Sequence, residues 1–389
     1  MIEFIHQLLR RTLSCSFQKF KTTTSLATKM LFRPGSSFKQ IKFEIMSNNI
    51  FGMLKAGMPD KWSVRLFQTR PEPVTLTPFW AMVRKDVSDH VHSWRSVILL
   101  GIIVLTCLGS LYTSISHIME TMKGGDAENS FFFLNLFTLS DGSLPSFFVF
   151  VSFLGPLLGI SLGFDAINSE QNKGTLSRVL AQPVPRDYLL NAKFLAGIIV
   201  VSVTFFALSF LVIGAGLIIL GTPPTAEEFL RILTYTIFSI IYVSFWLNLS
   251  IFFSVRFKQP ATSALSGIAV WLFFTVFYPL IVNFITRGLE PSRFASPRVL
   301  YLYEKIKFAL VQIMPNELFS EVSSTILVPT VRSLGPLTTE QVHGAIPGPL
   351  SLSQSLMVVW PQITGLLALT LICFLFSYLL FMRREIRSR

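Results

Sequence analysis

With 389 residues, 51% of them hydrophobic and only 14% charged, the chain is too apolar for an ordinary soluble domain. Its mean hydropathy of +0.58 fits a membrane bundle. A net charge of +12 can point to nucleic acid, but beside long apolar runs a positive-inside bias and anionic lipid headgroups are the simpler explanation, so membrane lipid is the expected partner and nucleic acid is not.

Much of the positive charge precedes residue 78. Arg10, Arg11, Lys19, Lys21, Lys29, Arg33, Lys39, Lys42, Lys55, Lys61, Arg65 and Arg70 face only Glu3, Glu44, Asp60 and Glu72. Residues 1–76 therefore read as a basic, disordered N-terminal extension that buries too little apolar surface to order itself. The first 45 residues also suit an organellar transit peptide, or an over-long reading frame with initiation at Met46, Met53 or Met58. From Phe79 to Arg95, Trp80, Val83, Val87, Val91 and Trp94 recur every three to four residues, which predicts an amphipathic helix in the headgroup plane.

Six apolar runs follow, at 97–118, 146–164, 195–220, 232–254, 262–284 and 362–382, all free of Asp, Glu, Lys and Arg. Each is long enough to cross ~30 Å of hydrocarbon at ~1.5 Å per residue. Basic residues crowd the odd-side loops: Arg84, Lys85 and Arg95 before the first run, Lys173, Arg178, Arg186 and Lys193 between the second and third, Arg256 and Lys258 between the fourth and fifth, Arg383, Arg384, Arg387 and Arg389 after the sixth. Both termini are then cytoplasmic and the protein is a multi-pass component of the cell (plasma) membrane. The fold class expected is all-α, a polytopic bundle of six transmembrane helices spanning 77–389.

In the second run, Gly155, Gly159 and Gly163 share one helical face and allow another helix to approach closely. The stretch Gly159-Ile-Ser161-Leu-Gly163 also matches the G-x-S-x-G nucleophile pattern, but that pattern needs a strand-to-helix turn, and Ser161 sits in a continuous apolar helix. After this run the polar residues from Asn168 to Lys173 lead to Gly174, suited to a left-handed helix stop. Thr175 can then cap a short helix ended by Pro183 and Pro185, in which Leu176, Val179 and Leu180 share a face. So short a helix needs a surface to dock into. Asp187 can cap the next helix. In the loop 285–361, Val299, Leu302, Tyr303, Ile306, Leu310 and Ile313 form one amphipathic face, and Asn316 can cap a second helix through Ile326; both read as interfacial or re-entrant.

Chemical motifs are absent. There is no P-loop, H-E-x-x-H, C-x-x-C or EF-hand pattern; the three cysteines (Cys15, Cys107, Cys373) and five histidines are scattered. No catalytic, cofactor-binding or metal-binding residue is expected, and the chain does not read as an enzyme. Uncharged spans also disfavour ion-coupled secondary transport. Asn248 reads as an interhelical hydrogen bond.

The order Asp165-Ala-Ile-Asn-Ser-Glu170, Gly174-Thr175-Leu176, Leu180-Ala-Gln-Pro183-Val-Pro-Arg186 and Lys193 resembles the segment after the second span of ABC-2 type permeases. Arg84-Lys85-Asp86, Pro315-Asn316-Glu317-Leu318-Phe319 and Phe381-Met-Arg383-Arg384-Glu385 extend the resemblance, which covers roughly 77–389. It implies a coupling helix, carried by Glu170, Gly174, Thr175, Leu176, Val179, Leu180, Pro183 and Arg186, that inserts into a separate ABC ATPase subunit. It further implies a second permease chain, as a homo- or heterodimer, with ATP and Mg held in the ATPase partner and no cofactor in this chain. The function expected is an ABC transporter permease whose uncharged pathway suits an amphipathic or lipid-like cargo; the alternative is a polytopic anchor or assembly factor that recruits a cytosolic partner without transport.

Overall fold

The structure is a computed structural model that describes residues 78–123, 131–140, 142, 144–176, 184–292, 295–331 and 348–383. The expectations placed on residues 1–76, and on Val179, Leu180 and Pro183, lie outside the described residues. All those described belong to one compact unit, Leu76–Arg389.

Among the described residues the unit is all-helical: α1 Pro78–His92, α2 Trp94–Lys123, α3 Phe132–Thr138, α4 Phe147–Gly163, α5 Asn168–Asn172, α6 Arg186–Leu220 and α7 Ala226–Arg256. Then come α8 Pro260–Leu272, a π-helical stretch Phe273–Phe277, α9 Tyr278–Gly288, α10 Pro297–Val311, α11 Pro315–Leu327, α12 Leu352–Val358 and α13 Trp360–Arg383. Six helical stretches are long and apolar enough to cross a membrane, starting at Trp94, Phe147, Arg186, Ala226, Pro260 and Trp360. The protein is a multi-pass membrane bundle. Successive crossings alternate in direction, so the molecule has a basal face, where α1 meets the start of α6, and an opposite, distal face.

The most enclosed crossing is α7, which packs against α4, α6, α11 and α13. Polar side chains on α7 stitch the bundle together: Ser250 Oγ donates to Ile160 O at 2.9 Å, and Asn248 Nδ2 donates to Thr370 O at 3.3 Å, the interhelical bond expected of a lone membrane asparagine. Gly155, Gly159 and Gly163 face this same helix. A Cβ added at Gly159 would stand 2.6 Å from Val243 O and 2.8 Å from Leu247 N, and one at Gly163 would stand 2.7 Å from Leu247 O. Only hydrogen in place of a side chain lets the two backbones run this close.

Helix ends depart from the sequence reading in several places. The second crossing does not continue smoothly into polar sequence: α4 stops at Gly163, a turn follows, and α5 restarts at Asn168. Ser254 Oγ accepts the amides of Ile167 at 2.9 Å and Asn168 at 3.2 Å, so α7 supplies the partner that the broken helix lacks. Gly174 does adopt the left-handed conformation, with φ of 68°. Asp187 is not a cap: α6 begins one residue earlier after Pro185, leaving Asp187 in the first turn where its charge still suits the helix N-terminus. Nor does Asn316 cap α11, because Pro315 takes the first helical position and Met314 precedes it. At the distal end, α3 and α12 were not foreseen. Both are seven residues long and too short to show a period in sequence.

Candidate functional site

The sequence element with the richest functional signal, the polar segment after α4, folds back onto the base of the bundle. Arg95 on α2 reaches Asp165 in the turn at 2.6 Å and lies over the Phe164 ring, 4.9 Å from its centroid. Asn172 Nδ2 donates to Lys258 O at 3.1 Å, and Thr175 Oγ1 donates to Glu170 O at 3.1 Å. The segment is thus held to α2, to α7 and to the α7–α8 connection at once.

At its centre is a buried ion network. Lys193 on α6 lies 2.8 Å from Glu170 Oε1 and 3.5 Å from Asp86 Oδ1, while Lys85 lies 3.2 Å from Glu170, 3.4 Å from Asp86 and 3.6 Å from Asp89. Lys193 and Asp86 retain only 7% and 6% of their surface. Burial of this kind is tolerated only when opposite charges compensate each other, since each buried ion costs several kcal/mol to desolvate, roughly. Although desolvation lowers the Lys85 ammonium, Asp86 and Glu170 outweigh it and raise its pKa to about 12. His90 beside the network is displaced the other way, below its ordinary value, chiefly by burial. A cavity of 340 Å³ opens on this network, lined among others by Asp86, His90, Asp165, Glu170 and Lys193.

Three elements meet here because each carries its own reason to. α1 packs Val83 onto Ala192 and Ala196 of α6, with Phe79, Met82 and Val87 around them. The apolar stripe read from sequence is split, because Trp80, Val91 and Trp94 stay exposed while Val83 turns inward. α6, at 35 residues, is ~52 Å long at ~1.5 Å per residue, so its first turns, with Lys193, extend below the apolar crossing. Small residues at 192 and 196 let α1 lie flat against it.

Of the residues predicted for coupling, the structure brings Glu170 into the network and places Gly174 and Thr175 immediately beyond it. Leu176 is not an exposed knob: it is 3% accessible and belongs to the chain's own core, because the turn at Gly174 directs the chain back against the bundle. Arg186 opens α6 at the basal surface. Sequence reasoning missed Asp86 and Lys193 as partners of Glu170. Their signal was weak, an acid in an amphipathic helix and a lysine just ahead of an apolar run. Ser161 lies inside continuous α4 helix, where its Oγ is buried without a hydrogen-bond partner among the described residues.

On the distal side, Arg231 on α7 is a second fully buried charge. It donates to Glu227 at 3.0 Å, to Ile326 O at 2.8 Å and, with Ser355 and Leu350 O, ties α11 and α12 to α7. Glu228 closes a capping box with Thr225 and accepts the Phe133 amide at 3.0 Å.

A six-crossing bundle with a break after the second crossing, clamped by buried charge to a basal helix, defines a polytopic membrane protein. Residues 80–386 match the family described as ABC-2 family transporter protein, and the chain belongs to that family. It is also similar to the probable ABC transporter permease protein NosY of Pseudomonas aeruginosa, 27% identical over 205 residues that cover 52% of this chain and 68% of that protein. The protein is accordingly a membrane transport subunit and not a catalytic enzyme.

Proposed function

We propose that the chain is the permease of an ABC transporter whose ATP hydrolysis takes place in a separate ATPase subunit docked against the loop between α5 and α6. The observation that carries this reading is the Lys193–Glu170–Asp86–Lys85 network, which joins the segment leading into that loop to both α1 and α6. A push on the loop is then delivered to two crossings and to the basal helix as one body. The relative's name, a probable ABC transporter permease, supports the same reading. Since Leu176 is turned into the core, the docking contact falls to the residues after it, with Val179 and Leu180 as candidates.

In the working unit a second permease chain faces the first, and cargo crosses between them. The basal face is cytoplasmic, in keeping with the basic residues of its loops, and ATP with Mg is bound by the partner ATPase. The membrane is the plasma membrane. Mild-detergent purification of the full chain from its own membranes tests the proposal. A P-loop ATPase is expected to copurify, and Leu180→Asp is expected to release it while leaving membrane insertion unchanged. Insertion without any ATPase, in wild type as in variant, would instead favour a polytopic anchor.

A further inference from the structure

The six crossings carry almost no charge at mid-depth, yet carboxylates are brought there by a different route. Helices α10 and α11 form a hairpin that re-enters the bundle from the distal side. Tyr303 OH donates to Thr286 O at 3.2 Å and Tyr278 OH to Leu310 O at 3.1 Å, so α10 descends alongside α9. α11 climbs back along α7. Its end meets Arg231 through Ile326 O, and its start meets Tyr242, whose OH lies 2.7 Å from Asn316 Oδ1 and 2.9 Å from Ser152 O. From Arg231 to Tyr242 is ~16 Å along a helix rising ~1.5 Å per residue. Tyr242 is near the middle of α7, so the tip of the hairpin is as deep as the centre of a crossing. The Phe319 ring stacks on Tyr242 at 4.4 Å and holds it there.

Next to Asn316 at this depth is Glu317, which lines a cavity of 220 Å³. Its walls are Phe148 and Phe153 of α4 and Phe274 of the π-helical stretch, with Thr275 and Asn316 on the polar side. Asn316 is occupied, since its Nδ2 donates to Thr275 at 2.6 Å and its Oδ1 accepts from Tyr242. Glu317 forms no ion pair among the described residues. An acid at this depth is costly unless it has work to do. The π-helical stretch sits where a widened turn often marks a site. The cavity is smaller than the roughly 300–1,000 Å³ of a drug-sized site, so it suits a head and not a whole molecule. At its mouth Val149 and Phe153 are 40% and 49% exposed, an apolar way out for the remainder.

We propose that this cavity is a cargo subsite for the cationic head of an amphipathic molecule, an alkylammonium, with Glu317 as its counter-charge and the rings of Phe148, Phe153 and Phe274 around its N-methyl or methylene groups. Aromatic faces and a lone carboxylate together favour such a head, whereas one carboxylate is too few oxygens for a bare divalent cation. The proposal rests on the permease reading and narrows its cargo from merely amphipathic to amphipathic and cationic.

The test uses the full chain in lipid nanodiscs and dicyclohexylcarbodiimide, which modifies protonated carboxyls in apolar surroundings, with labelled peptides quantified by mass spectrometry. Dodecyltrimethylammonium is expected to slow modification of Glu317 about tenfold, the size of a charge-assisted contact, and to leave Glu321 on the same helix unaffected. Dodecanol at equal membrane concentration is expected to protect neither. Equal protection by dodecanol would mean an apolar cleft without charge recognition, and no protection by either would mean no subsite; both overturn the proposal. Glu317→Gln is expected to copurify with the ATPase as wild type does. Loss of copurification in both proteins would sink the permease reading while the labelling result still decides the site.

Discussion

Lys193→Met removes the ammonium at the centre of the basal network and keeps most of the side chain's volume. It leaves Glu170 and Asp86 facing each other in a buried site with only Lys85, more than half exposed, as compensation. Breaking a buried pair by removing one partner costs about 3–5 kcal/mol. The lower end applies here, because Lys85 keeps its 3.2 Å contact with Glu170 and its 3.4 Å contact with Asp86. Neutralising the exposed Lys258 in the same way should stay within about 0.5 kcal/mol. Reversible unfolding in mixed dodecyl sulfate micelles reads these differences. The sharper measurement adds Glu170→Gln and the double variant: if the two groups act as a pair, the double should cost about 1–3 kcal/mol less than the sum of the singles. Additive singles, or a Lys193→Met no worse than Lys258→Met, would refute the idea that the network clamps α1, α5 and α6 together.

Gly159→Ala should destabilise the bundle by about 1–3 kcal/mol, since its Cβ meets backbone that cannot swing aside, whereas Gly155→Ala meets the Val243 side chain at 3.0 Å and should cost less; thermal unfolding in nanodiscs ranks them, and the reverse order would refute the contact.

How much of this was legible beforehand follows from what each signal depends on. The six crossings rest on runs of apolar residues, a property each run carries alone, and they are where hydropathy puts them. The close approach at Gly159 was also local, because a four-residue glycine spacing describes one helix face without reference to its partner; that the partner is α7 was not. Gly174 could be read because a left-handed helix stop is a backbone requirement of a single residue. Leu176 could not. Its spacing with Val179 and Leu180 marks an apolar face, but whether a face meets a foreign subunit or its own bundle depends on the turn before it, and that turn aims Leu176 inward.

Charge shows the same division more strongly. Counting basic residues by loop treats Lys85 and Lys193 as surface markers, yet Lys193 is among the most enclosed side chains described and is neutralised by Glu170 and Asp86, both remote in sequence. Likewise the six apolar runs are free of ionised groups, whereas Glu317 is carried in on a hairpin whose Lys305, Lys307 and Glu304 keep its hydropathy below that of a crossing. Hydropathy averages over a window and finds segments that can pay for immersion alone. α11 does not immerse alone: Tyr242, Thr275 and Arg231 satisfy its polar groups from neighbouring helices, so its depth is a property of the assembled bundle and is visible only there.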